Sequence, residues 1–385
     1  MTANIFRAGK PSAAQIKAAL PFWLSLCAPA LMAVATLQGG WALILPPLGA
    51  WGMFTLLDAA LGQNLHNPDP STPEADLLWH RAITIIWFPI QAALLLWMLA
   101  YVPQAAHLAM AEKFAAFFGL GVFSGTIGIV YAHELMHQKN RAERWLADLL
   151  LAAVLYSHFR SHHLRVHHIY VATPRDAVTA RYNEGFHRFF PRVLRQGLTS
   201  AFAAERAMLA RRGYSVWHTS NPFWRYGALQ LAALGAAWGL GGTLGLALFA
   251  TQAFVAVWQL ELTNYIEHYG LTRRHLGGGT YEHVMPHHSW NAAHRASNWL
   301  LINLQRHSDH HTKPDRRFPL LQTYGPDIAP ALPFGYPLMG MAAMIPPIWR
   351  RIMNPRVRAW RKQFYPDITD WQAYNKGLNP VAQPQ

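Results

Sequence analysis

Four short stretches of this chain concentrate imidazole. "HELMH" sets His133 and His137 four residues apart, one helical turn, so both rings leave the same face of a helix. "SHHLRVHH" carries His162, His163, His167 and His168, and within it His163 and His167 repeat the one-turn spacing. "NYIEHYG" supplies His268, and "LQRHSDHH" supplies His307, His310 and His311. Such a cluster could hold a metal, relay protons or reflect composition. One HxxxH pair is weak evidence, His268 alone reads as a satisfied buried histidine, and a doublet such as His310–His311 arises by chance. Their joint occurrence, each beside an apolar run, points to metal, because ionisable groups at a bilayer are expensive and tend to be functional. Nine imidazoles recur in these motifs: His133, His137, His163, His167, His168, His268, His307, His310 and His311. That is too many for one ion and suits two. Imidazole favours Zn, Cu, Fe or Ni, and the absence of paired Glu-x-x-His helices argues against a carboxylate-rich bundle site.

The elements that must position these rings read as membrane spans. Of 385 residues, 52% are hydrophobic and only 14% charged, against about 25% in soluble domains. A mean hydropathy of +0.05 still requires a large polar portion outside the bilayer. A span needs about 20 apolar residues, and candidates run from 20 to 40, 41 to 62, 82 to 102, 114 to 132, 226 to 249 and 252 to 266. Shorter apolar stretches at 145–156 and 336–349 read as interfacial or buried helices. The expected fold is an all-α integral membrane protein with about six transmembrane helices in three hairpins and a cytoplasmic helical cap carrying the histidine motifs. The chain is expected to form a single membrane-embedded domain over 1–385. Within it, 1–132 holds spans one to four, 133–224 a cytoplasmic histidine-motif region, 225–266 spans five and six, and 267–385 a cytoplasmic C-terminal region.

Arg7, Lys10 and Lys17 precede the first span, which places the N-terminus in the cytoplasm. Four spans return the chain there near residue 132, into a segment rich in Lys139, Arg141, Arg144, Arg160, Arg165 and Arg175. All four histidine segments then face the cytoplasm of a bacterial-type inner membrane. The first apolar run is too long, and too closely followed by a second, for a cleaved signal peptide. The sole cysteine, Cys27, excludes an internal disulfide, a CxxC motif and an iron–sulfur cluster. The formal charge of +14 suits cytoplasmic loops and anionic lipid headgroups better than nucleic acid, for which no binding motif is present. No GxGxxG follows a strand, so neither NAD nor flavin is expected to bind.

Taken together, HxxxH, HHxxxHH and HxxHH between membrane hairpins resemble the integral-membrane di-iron fatty acid desaturase and hydroxylase superfamily. "NYIEHYGL", "EHVMPHHSWN" and "NLQRHSDHHTKPDRRF" look like its alkane 1-monooxygenase branch, the membrane alkane ω-hydroxylases, with xylene-type monooxygenases as close relatives. With the spans, the resemblance covers nearly the whole chain. In that family the second motif reads Glu-His followed by Gly-His-His. Here His162-His163 and Val166-His167-His168 stand in those places, so the usual glutamate is a histidine. His162 is expected behind the ligands rather than among them.

The resemblance implies two non-haem irons on the nine histidines, O2 as co-substrate, and conversion of a terminal methyl to a primary alcohol. An unactivated C–H bond offers nothing for acid–base chemistry to polarise, which agrees with an oxidising metal centre. Glu134, Glu267 and Asp309 adjoin ligand histidines and could orient them, or serve as local ion-pair partners. Electrons are expected from a separate rubredoxin or ferredoxin and its reductase, drawn to basic groups such as Arg316, Arg317 and Arg350. The substrate expected is a medium- to long-chain alkane entering from the bilayer, with Ala50, Trp51, Phe54 and Leu57 lining its tunnel. Alternatives are an aromatic-methyl hydroxylase, a fatty acyl desaturase or, in another class, a histidine-lined metal transporter.

Overall fold

A computed structural model describes residues 12–380; Arg7 and Lys10 lie outside them. Among the described residues, five helical elements are long and apolar enough to cross a membrane: α1 (Ala13–Gln38), α2 (Gly40–Leu61), α3 (Glu74–Gln104), α4 (Met110–Met136) and a 47-residue element, α8 (Pro222–His268). Between α4 and α8 lie α5 (Arg141–Ala152), α6 (residues 159–170) and the long α7 (Phe186–Arg211). After α8 come a small hairpin, β1 (His275–Gly277) with β2 (Thr280–Tyr281), and then α9 (Arg295–Leu300), α10 (His307–Thr312), α11 (Tyr336–Ala343) and α12 (Pro346–Phe364).

Two glycines in the left-handed region shape the spans. Gly39, at φ 68, ends α1 and lets α2 begin at once. Gly242, at φ 61 and ψ −151, breaks α8 inside the stretch 226–249 read as the fifth span, so the element divides into two arms at 242 rather than between 249 and 252. A Cβ on Gly245 would stand 2.5 Å from the Ala237 carbonyl oxygen, so the arms touch beside the break. Both ends of α8 consequently lie at the histidine side: the Tyr226 hydroxyl is 3.0 Å from Ser161 Oγ, and His268 Nε2 is 3.1 Å from His307 Nε2.

The span α4 sits at the centre and packs most closely on α8. Cβ atoms on Gly121 and Gly125 would fall 2.7 and 2.6 Å from the carbonyl oxygens of Gln252 and Ala256. This is small-residue packing, four residues apart, that brings two backbones together in a membrane. It matters for the site because α4 ends in the first histidine motif and α8 in the third. Tyr131 near the end of α4 donates to Ser25 Oγ of α1 at 2.8 Å, a buried polar tie between two spans.

The apolar stretches 145–156 and 336–349 do not form single helices. The first belongs to α5 and ends at Ala152, with Leu155 at φ 56 in the turn beyond. The second is divided into α11 and α12, because Pro346 and Pro347 can open a helix but not continue one. At the start of α3 an ion network ties that helix to α5 and the loop after α10. Glu143 accepts from Arg81 and Arg317, each at 2.6 Å, and Arg317 also pairs with Glu74.

Candidate metal centre

The nine motif histidines fall into two groups. His133, His137, His163, His168 and His310 form one; His167, His268, His307 and His311 form the other. In each, one nitrogen per ring converges so that all lie within 4.8 Å of one another. His137 and His168 are partly exposed at the rim and the other seven are buried.

Helix geometry explains the sorting. His133 and His137 are one turn apart at the end of α4 and share a group. His307 and His311 in α10 do the same, while His310, off that face, serves the other group. The stretch 163–167 is a π-turn rather than an α-turn, and the His168 N–H bonds back to the His163 carbonyl. A π-turn moves the matching position from i+4 to i+5. His163 therefore pairs with His168, and His167 points to the second group, contrary to the one-turn pairing read from spacing.

The donor set fits bound cations. Within the first group His163 Nε2 lies 2.9 Å from His137 Nε2 and 2.8 Å from His168 Nε2, and His310 Nε2 lies 3.1 Å from His168 Nε2. Within the second, His307 Nε2 is 3.1 Å from His268 Nε2 and 3.0 Å from His311 Nε2. Nε2 of His133 and of His167 is buried with no hydrogen-bond partner among the described residues. Burial holds His137, His163, His168, His307, His310 and His311 well below the usual imidazole range, and the neighbouring rings add to it. These rings are thus neutral and able to give a lone pair, as metal ligands must. Nitrogen-only sets of this kind suit Fe, Zn, Cu or Ni.

The carboxylates divide differently from their order in the sequence. Asp176, which adjoins no motif histidine in sequence, accepts a hydrogen bond from His167 Nδ1 at 3.0 Å, which leaves Nε2 as the free donor atom. Burial would raise this carboxyl, but His167 more than offsets it and holds Asp176 below its ordinary range. His162 Nε2 lies 3.8 Å from the other Asp176 oxygen and belongs to neither group. Glu267 stands 3.4 Å from His307 Nε2, on the side where the second group converges. Glu134 and Asp309 instead face other partners. Glu134 accepts from Gln138 Nε2 at 3.0 Å, and Asp309 accepts from Arg316 and Tyr324, each at 2.6 Å.

A third cluster, Glu282, His287 and His288, gathers within the same limit but reads as a hydrogen-bond chain. The Met285 N–H donates to His288 Nδ1 at 2.9 Å, so neutral His288 carries its proton on Nε2. That N–H donates to Tyr365 Oη at 2.7 Å, and Tyr365 donates to Glu282. A ring protonated there has no lone pair for a metal.

A narrow apolar cavity runs between the spans beneath the centre. Ala50 and Trp51 are in its wall, with Val130 and Ile266 close to the histidine ends of α4 and α8, and Leu262 and Gly340 opposite. Phe54 and Leu57 are not in this lining; a π-turn over Gly49–Met53 breaks the α-helical register that would carry Leu57 onto the face of Ala50. On the polar side a cleft opens between Lys139, Lys313 and Arg316, with Glu74 and Asp315 also in its lining; Lys139 lies 3.8 Å from Asp315. Arg317 lies at its floor, buried in the Glu74–Glu143 network rather than free on the surface. Arg350 is exposed on α12, where it donates to the Asn183 carbonyl.

A bundle of apolar helices ending in two polyhistidine groups defines a membrane metal-centre protein. Residues 110–343 match the family described as fatty acid desaturase. The chain is 36% identical to alkane 1-monooxygenase 2 of Pseudomonas aeruginosa over 84% of its own length and 86% of that protein's. It is 37% identical to alkane 1-monooxygenase 1 of the same organism over 81% of this chain and 82% of the other. To the xylene/toluene monooxygenase hydroxylase component of Pseudomonas putida it is 30% identical over 64% of each chain. The chain belongs to the alkane 1-monooxygenase family. It is an integral membrane oxidoreductase, a monooxygenase.

Proposed function

We propose that the protein hydroxylates the terminal methyl of linear alkanes to primary alcohols. It takes O2, two electrons and two protons for each alcohol and water released. The observation that supports this most is the pair of buried polyhistidine groups above an apolar cavity. Nine imidazoles would hold two irons, five rings on one and four on the other. The irons, when bound, would supply the redox chemistry that an unactivated C–H bond requires.

The remaining work falls to the chain's own residues. Asp176 holds the His167 ring with Nε2 facing its group. The apolar walls around Trp51 and Leu262 exclude water and guide an alkane end-on toward the centre. Electrons come from a separate rubredoxin with its reductase, an acidic partner attracted to the cleft of Lys139, Lys313 and Arg316. The arms of α8 on either side of Gly242 count as two crossings, giving six spans in three hairpins. The N-terminus and the histidine face lie in the cytoplasm of an inner membrane, and 1–385 acts as one membrane-embedded unit.

Membranes supplied with a rubredoxin system and assayed on octane, hexadecane and xylene test the reading. Primary alcohols from the alkanes support it. Xylene oxidation alone would favour an aromatic-methyl hydroxylase, and olefinic products a desaturase. A transporter would show no O2-dependent product at all.

A further inference from the structure

Arg361 of α12 is 8% exposed, yet among the described residues no carboxylate comes within 4.0 Å of it. Among the described residues its one side-chain hydrogen bond is from Nη2 to Asn375 Oδ1 at 2.6 Å, and Nε is buried without a partner. The rings of Tyr182 and Trp371 lie 4.6 and 4.3 Å from Cζ, which leaves the in-plane N–H edges for any further partner. Buried charges are ordinarily paired. Burial accordingly lowers this guanidinium to about 10, against the opposing influence of Tyr182 and Tyr269, and Arg358 adds to the lowering.

Arg361 lines a partly enclosed cavity of about 60 Å³, well above what one water needs. Arg181 is in the same wall, packed on Gly377 and likewise without a carboxylate among the described residues. Arg192 completes the basic lining but is neutralised by Glu184 at 2.7 Å. Asp176 closes the cavity on the side of the metal centre, and its oxygens are taken by His167, Thr179 and the Val178 N–H. The cavity therefore carries two unneutralised guanidiniums and no free acceptor of matching charge.

We propose that this cavity binds a phosphate group, bridging Arg361 and Arg181 and fixing the segment around Tyr374 and Gly377 against the wall that holds Asp176. Free inorganic phosphate and an anionic lipid headgroup share that chemistry.

The test uses purified full-length protein, exchanged into phosphate-free buffer and melted by its tryptophan fluorescence. Inorganic phosphate, or phosphatidylglycerol in mixed micelles, should raise the melting midpoint saturably beyond sodium chloride of equal ionic strength. A response to either, lost in Arg361→Gln, supports the site and names the source. If Arg361→Gln does not fold, Arg181→Gln is read instead and should weaken the half-saturating phosphate concentration about tenfold. No response beyond the salt control in the wild-type protein, or an unaltered response in the variant that folds, overturns the proposal.

Discussion

Asp176 accepts the Nδ1 proton of His167 across nine residues of chain, at 3.0 Å, and neither group is accessible to solvent. The contact fixes the tautomer and aims Nε2, which has no other partner among the described residues, at His268, His307 and His311. Carboxylates behind metal-bound imidazoles act in this way. Asp176→Asn should lower activity or metal affinity about 10- to 100-fold while leaving the protein folded. Metal analysis beside turnover checks it; unchanged values for both would show that the contact is merely structural.

The first group depends on His137 and His310, contributed by different elements. His137→Ala or His310→Ala should abolish turnover and reduce bound iron. Full activity in either variant would overturn the assignment of that ring as a ligand.

Close approach of α4 and α8 sets the distance between the two histidine-bearing helix ends. Gly125→Leu drives a side chain into the Ala256 carbonyl. Overpacking of this kind costs about 1–3 kcal/mol. The variant should melt at lower temperature and lose iron, whereas a similarly bulky change at exposed Gly235, which has open space around it, should not.

Ala50 is buried in the cavity wall. Ala50→Trp should shorten the range of alkanes accepted, with hexadecane affected before octane. An unchanged chain-length profile would remove this wall from the account of specificity.

Steering of an acidic donor by Lys139 and Lys313 predicts salt sensitivity. At limiting rubredoxin, turnover should fall about tenfold between roughly 0.05 and 0.5 M salt. Lys139→Glu should blunt that dependence. Insensitivity to salt would rule out steering by charge.

How much was legible in the sequence varies from residue to residue. The spans followed from the length of the apolar runs, and the shared group of His133 with His137 from ordinary helical periodicity. Pairing of His163 was not legible, because a single π-turn passes the match from His167 to His168. Adjacency left the carboxylates open between orienting a ring and pairing locally. Glu134 and Asp309 neighbour histidines in the chain but turn to Gln138, Arg316 and Tyr324. Asp176 lies in the turn after α6, where no periodicity marks it. The fold-back of α8 rests on one residue, Gly242, indistinguishable in sequence from the neighbouring Gly239 and Gly241.

The central claim is that two irons sit on nine histidines. Iron per chain, measured on purified protein alongside octanol formation from octane, tests it most directly. The account predicts two irons per chain in active protein, with turnover lost in proportion as iron is removed by chelation. One iron or none in fully active protein, or activity that tracks another metal, would contradict it.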